Sequence, residues 1–211
     1  MQELGIGHLS IGASSTLCKY VLLPYLRTFT EENPHIQISI SCQSTNDTLK
    51  LLEDNKIDIG LIGKPENLKN IHFDFLEEIE DIFVAAKDYL RNLKARGIQK
   101  DHILQSSTLM LLDKNNMTRQ YIDDYLQENQ IIIKDSIDIS DMDLLIDFAR
   151  IGVGVACVIK NFVREDLENG TLVEIPLGFP IHKREVGFAY KTTTKPSKSL
   201  AEFIHFYKTY R

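Results

Sequence analysis

Three short apolar runs in the first 65 residues each end in a polar turn, and two of those turns open into helix-length amphipathic segments. Leu4 to Ile11 alternates as a half-buried strand does, then meets Gly12-Ala13-Ser14-Ser15-Thr16, small hydroxyl residues suited to a tight turn and a helix N-cap. The helix that follows reaches about Glu32, with Pro24 at a kink or in the first turn and Asn33-Pro34 as the stop. Ile36 to Ile40 alternates strictly, Gln43-Ser44-Thr45-Asn46 repeats the polar turn, and Leu49 and Leu52 mark one face of a second helix. Ile57 to Ile62 is a third strand, ending at Gly63-Lys64-Pro65. Strands that alternate with helices build a sheet covered by those helices, and ligands of such open parallel sheets bind outside the carboxyl ends of the strands. The fold class is therefore α/β.

The rest of the chain echoes this plan. Ile79 to Ala86 reads as a strand leaving the first unit, and a charged helical region continues to Ile103. Thr108 to Leu112 is a short strand before the polar turn Asn115-Asn116-Met117-Thr118, where Thr118 is placed to cap a helix bearing Tyr121, Ile122, Tyr125 and Leu126 on one face. Ser140 to Asp143 has capping-box spacing ahead of a helix that Gly152 can end. Val153 to Ile159 is a buried strand, a short helix stops at Gly170, and Leu172 to Ile175 is a further strand. Arg184 to Lys191 is the last strand, and Ser199 to Glu202 again has capping-box spacing, opening a terminal helix. A chain that leaves one lobe and returns late to complete it makes a two-stranded hinge. The expected crossings are the apolar strands around Ile82–Ala86 and Val186–Tyr190, dividing the chain into lobe I (1–83 with 190–211) and lobe II (84–189), with a small-molecule site between the lobes.

Charge and motif content narrow the function classes. The net charge of -6 and the lack of a dense Lys/Arg cluster argue against a surface that grips a polyanion. The mildly basic stretches Lys87–Lys100 and His182–Lys198 are interleaved with apolar residues and read as solvated faces. Cys18, Cys42 and Cys157 are odd in number, far apart in sequence and without a CxxC spacing, so they read as free thiols, buried or pocket-lining, in a reducing cytosol. The six histidines are scattered, and no HExxH, GxSxG or P-loop is present. Gly5-Ile6-Gly7-His8-Leu9-Ser10 departs from the dinucleotide fingerprint at its last position and lies inside a strand. Neither a cofactor, a metal site nor a catalytic set is expected. No run approaches the ~18 apolar residues of a membrane span, and the opening residues have no signal-peptide pattern. The expectation is a soluble, cytoplasmic protein that does not engage a membrane.

Five segments, in order, resemble the effector-binding domains of LysR-type transcription regulators. They are Leu4 to Ser14; Leu22-Leu23-Pro24-Tyr25-Leu26 through Phe29 and Asn33-Pro34; Leu49-Lys50-Leu51-Leu52 with Lys56 to Ile62; Ala149 to Ala156; and Leu167 to Val173. Together they cover essentially the whole chain. The resemblance implies two Rossmann-like lobes of a type 2 periplasmic-binding-protein-like clamp, and a small-molecule effector in the cleft. It implies a homodimer, with the first helix and second strand of lobe I against lobe II of the other subunit, and a tetramer at full length. DNA would be reached only through the family's N-terminal winged helix-turn-helix, which this sequence does not contain. Where the family often has Pro after the Gly152-Val153-Gly154 strand, this chain has Val158-Ile159-Lys160. Two rival readings are a solute-binding protein of a transport system and an enzyme similar to prephenate dehydratase. The enzyme's Thr-Arg-Phe motif is approached by Thr118-Arg119-Gln120, with Gln120 in place of Phe.

The candidate ligand-binding residues follow from the strand-end turns and the family's cleft-facing positions. In lobe I they are Ser14, Ser15 and Thr16, which offer hydroxyls and amides at a helix start, then Gln43, Ser44 and Thr45, then Gly63 and Lys64. In lobe II they are Met117, Thr118 and Arg119 together with Gly152 and Val153. Ser14 to Thr16 are equally suited to capping alone, and Arg119 has an equal claim to an i,i+4 pair with Asp123. Hydroxyls, amides and one cation favour a small carboxylate or an inorganic oxyanion as effector.

Overall fold

The computed structural model describes residues 7–65, 67–193 and 195–210. The chain divides into two compact units, one of Met1–Glu77 with Glu185–Arg211 and the other of Glu78–Arg184. The expected start of the first strand at residues 4–6 lies outside the described residues.

In the first unit, β1 (Gly7–Ala13) runs into α1 (Ser15–Leu17), a wide π turn (Cys18–Leu22) and α2 (Leu23–Glu32). Pro24 brings no N–H into the helical ladder, and the chain widens just ahead of it: the Leu23 N–H reaches back to the Cys18 carbonyl. Next come β2 (Ile36–Cys42), α3 (Thr45–Glu53), β3 (Ile59–Gly63) and β4 (Ile71–Ile79). β1 pairs in parallel with both β2 and β3. β4 is a sheet-edge strand with mixed exposure; Ile71 to Phe75 alternates as a strand does, yet no strand is among the elements expected from the sequence there.

The second unit begins with β5 (Asp81–Ala86) and α4 (Lys87–Ala95), then a single 3-10 turn and α5 (Ile103–Ser106). β6 (Thr108–Leu112), α6 (Met117–Glu128), β7 (Asp135–Ile139), α7 (Met142–Arg150) and β8 (Val155–Ile159) follow as two strand–helix–strand crossovers. A 3-10 turn, α8 (Arg164–Asn169) and β9 (Leu172–Glu174) complete it. Its strand order is β7-β6-β8-β5-β9, with β6 parallel to β7 and β8, and β5 antiparallel to β8 and β9. The chain then returns to the first unit through β10 (Arg184–Lys191) and α9 (Lys198–Thr209), giving that sheet the order β2-β1-β3-β10-β4.

The hydrogen-bond ladders explain why the division falls earlier than 83/84 and 189/190. Ile82 to Ala86 bond throughout to β8 and β9, and Val186 to Ala189 bond to β3, so these strands belong wholly to one sheet each. The expected crossings therefore sit inside the sheets, and the connections are the residues just before them. Three caps also lie elsewhere than the spacing implies. Asn116 caps α6 by accepting from the Thr118 N–H at 2.9 Å, Asp141 caps α7 by accepting from Asp143 and Leu144, and Ser197 caps α9 by accepting from Leu200 at 3.1 Å. In each case the residue with extended backbone takes the cap, whereas Thr118 and Ser199 already sit inside their helices.

The core of the first unit is aromatic. Phe29 of α2, Phe188 of β10 and Phe203 of α9 are fully buried and meet edge to face, with Phe29–Phe203 centroids 4.9 Å apart and Phe188–Phe203 5.2 Å apart. β4 approaches β10 so closely that a Cβ on Gly187 would stand 2.1 Å from the Asp74 carbonyl oxygen. Asp74 also ties β4 to α9, accepting from the Tyr207 hydroxyl at 2.6 Å and pairing with Lys208 at 3.0 Å and His72 at 2.9 Å. Burial works to raise the Asp74 carboxyl, but the hydrogen bonds from Tyr207, His72 and Lys208 outweigh it and hold the group below the ordinary 3.8. A depressed folded-state value contributes stability above the unfolded value, and that stability is lost as pH falls through the folded one. Asp74→Asn is expected to lower urea stability at pH 7, with the gap to wild type shrinking as pH falls below 3.8; a gap independent of pH would refute this role.

Candidate ligand-binding turns

Parallel register puts the first two turns side by side. Ala13 pairs with Cys42, and the Gln43 N–H donates to the Ala13 carbonyl at 3.0 Å, so β1 and β2 end level. β3 ends at Gly63 on the same edge, since Ala13 pairs with Leu61. The structure thus brings Ser14–Thr16, Gln43–Thr45 and Gly63–Lys64 to one sheet edge. Ser14 is half-buried, and its Oγ accepts from the Leu17 N–H at 3.2 Å, so its side chain serves as a cap. Ser44 does likewise, accepting from Asp47 N–H at 3.1 Å and donating to that carboxylate at 2.8 Å. Gln43 donates from Nε2 to the Thr48 hydroxyl at 2.9 Å. Thr45 is buried. Among the described residues, the hydroxyls of Ser15 and Thr16 have no hydrogen-bond partner. Lys64 pairs with Glu185, both half exposed.

The second unit divides its candidates between two edges. Met117 and Thr118 open α6 beyond the carboxyl end of β6. Gly152 and Val153 lie just before β8, and β8 is parallel to β6 with Val155 opposite Leu109, so they stand at the amino end of the sheet. α7 is the reason: as a crossover helix it carries the chain back to the start of the next strand, and Gly152, at φ +79°, is its left-handed stop. Gly152 and Val153 are thus separated from Met117–Arg119.

Arg119 takes the pairing role. Its buried guanidinium donates to Asp123 at 2.8 Å, to the Leu112 carbonyl at 2.9 Å and to Asp138 at 2.5 Å. Burial opposes its charge, but the two carboxylates overcome that and hold it protonated. It locks the start of α6 to β6 and β7, and its burial leaves it little access to a ligand.

Arg184 is a functional residue outside the candidate set drawn from the sequence. Set in a stretch read as solvated, its side chain is only 14% exposed and grips the fully buried Asp81 through two bonds of 2.7 and 2.9 Å. The same guanidinium donates to the Thr118 hydroxyl at 3.2 Å and lies 5.3 Å from the Tyr121 ring centroid. Burial pushes the Asp81 carboxyl above its ordinary 3.8, while Arg184 opposes the rise. A lone Arg at a strand start gives no periodic signal, because its partners Asp81 and Thr118 are distant in sequence. Nη1 of Arg184 donates to none of the described residues. Among the described residues no group of His, Cys, Asp and Glu could hold a metal ion, and no helix is long and apolar enough to cross a membrane.

Two α/β units whose polar turns gather at the carboxyl edges of parallel strands define a small-molecule-binding class of fold. Residues 2–211 match the family described as LysR substrate binding domain, and the chain belongs to that family. It is 23% identical over 201 residues to the uncharacterized HTH-type transcriptional regulator YeiE of Escherichia coli K12, covering 95% of this chain and 67% of the relative. The fold is that of the regulatory domain of Synechocystis PCC6803 CcmR in complex with 2-PG, with TM-score 0.80, 14% identity and 95% of each chain covered. It is likewise that of the effector binding domain of QuiR in complex with shikimate, with TM-score 0.75, 18% identity, and 95% and 94% covered.

Removing Arg184 strands the Asp81 carboxylate. Arg184→Met is expected to cost about 3–5 kcal/mol in urea denaturation at pH 7, and Asp81→Asn in the same chain should recover part of the loss. Additive losses in the double variant would disprove the coupling.

Proposed function

We propose that this chain is the effector-sensing regulatory part of a LysR-type transcription regulator, and that its effector is a small carboxylate or oxyanion. The observation that carries the reading is the level ending of β1 and β2 in a family member, which brings the turn with Ser15 and Thr16, whose hydroxyls have no partner among the described residues, to the same edge as the Gln43–Thr45 turn. Backbone amides at a helix start and nearby hydroxyls bind an anion without a full counter-charge. Within the second unit, Thr118 and Nη1 of Arg184 form a set of donors of their own at the start of α6. Arg119, Gly152 and Val153 are left out of this set for the reasons above. Shikimate in QuiR, a hydroxylated carboxylate, is in keeping with that chemistry.

The function is regulatory rather than catalytic, and its seat is the cytoplasm. The effector acts by binding one conformational state more tightly than another, which is the only way a ligand can move such an equilibrium. A separate winged helix-turn-helix contacts DNA, in keeping with the -6 charge of this chain. Self-association uses the apolar groups left exposed at sheet edges and helix faces: Leu23 and Ile40 on α2 and β2, and Leu144, Phe148 and Ile151 on and beside α7. The assembly is a homodimer, and a tetramer at full length.

A thermal-shift screen of small acids against their neutral amides and alcohols tests the effector class. Acids should stabilise, and Thr16→Ala should weaken the best of them about tenfold, the worth of roughly one hydrogen bond to a charged group. Stabilisation by neutral compounds alone would defeat the reading. For the assembly, Ile40→Asp is expected to shift light-scattering mass toward the monomer, and an unchanged mass would exclude β2 from the interface.

A further inference from the structure

Cys18 and Cys42 lie far apart in sequence, yet their Sγ atoms are 3.7 Å apart. Two local features bring this about. Cys42 is the last residue of β2 and stands level with Ala13, the last residue of β1. Cys18 is one turn beyond β1, its N–H donating to the Ser14 carbonyl at 2.8 Å in the π-widened segment ahead of Pro24. Cys42 is exposed and Cys18 half-buried, whereas Cys157 is buried in the second unit. A disulfide requires an S–S distance of about 2.05 Å, so the sulfurs need to close by roughly 1.7 Å.

We propose that Cys18 and Cys42 are a paired oxidation site, closing reversibly to an intrachain disulfide when the protein meets a hydroperoxide. The order of events follows from access. The exposed Cys42 sulfur attacks the peroxide oxygen as the thiolate; the O–O bond breaks, the alkoxide leaves and takes up a proton as the alcohol, and Cys42 becomes a sulfenic acid. Cys18 then attacks that sulfur; the S–S bond forms, the S–O bond breaks, and the hydroxyl departs with the Cys18 proton as water. Two thiols and one hydroperoxide give one disulfide, one alcohol and one water. A dithiol reverses the change by exchange. Burial, followed by the hydrogen bond and charge of Cys42, pushes the Cys18 thiol up to about 12, so the exposed Cys42 is the thiol that starts the reaction. The bond would tie the turn at Ser14–Thr16 to the turn at Gln43–Thr45. The proposal is independent of the effector reading, and its test needs no effector.

The dilute chain is treated with one equivalent of hydrogen peroxide, alkylated, digested and mapped by mass spectrometry. The expected product is a Cys18–Cys42 linked peptide pair within one chain, cleaved by dithiothreitol, with Cys157 unmodified until the protein is denatured. In Cys18→Ser, Cys42 should instead persist as a sulfenic acid that dimedone captures, and in Cys42→Ser, Cys18 should stay reduced. Cys42 oxidised to sulfinic acid in the wild type with Cys18 still alkylatable would overturn the proposal, as would Cys42–Cys42 links between two copies.

Discussion

Parallel strands cannot be joined by a tight turn, so each must be followed by a crossover that carries the chain back along the sheet. That constraint organises both units. In the first, β1, β2 and β3 all point one way, and every polar turn that follows them falls on the same edge. In the second, β6 and β8 impose the same polarity, which places the start of α6 at the carboxyl edge and the Gly152 stop of α7 at the amino edge. The positions of the candidate binding groups are thus consequences of strand direction before any side-chain chemistry enters.

Charge burial is the second organising theme. Arg119 and Arg184 both approach the beginning of α6, yet they do different work. Arg119 is enclosed by Asp123, Asp138 and the Leu112 carbonyl and fastens the helix to its neighbouring strands. Arg184 has its two strong bonds to the fully buried Asp81 and still touches Thr118 and Tyr121. A buried carboxylate needs such a partner to stay ionised, so the residue that closes the second unit also positions a hydroxyl at its carboxyl edge.

Much of this was legible in the residues. The alternation in Ile36 to Ile40, the Asn33-Pro34 stop, the Gly152 and Gly170 helix ends and the strand from Arg184 to Lys191 all rest on local rules, and local rules act within a few residues. The edge strands β4 and β7 were not among the expected elements, although Ile71 to Phe75 and Ser136 to Ile139 alternate; both runs are short and adjoin acidic residues. Caps shifted by one or two residues for a related reason: several polar side chains stand near each helix start, and backbone geometry selects among them.

What the sequence alone determined is the α/β class, the family, and the set of polar turns that close its early strands. Each of these is written in periodicity or in short ordered segments. Only the tertiary structure decided which turns share an edge, that Arg119 is committed to Asp123 and Asp138, that Arg184 holds Asp81 beside Thr118, and that Cys18 meets Cys42. Apart from the i,i+4 pair of Arg119 with Asp123, those facts depend on strand register and on contacts between residues distant along the chain, and neither leaves a periodic trace in a single sequence.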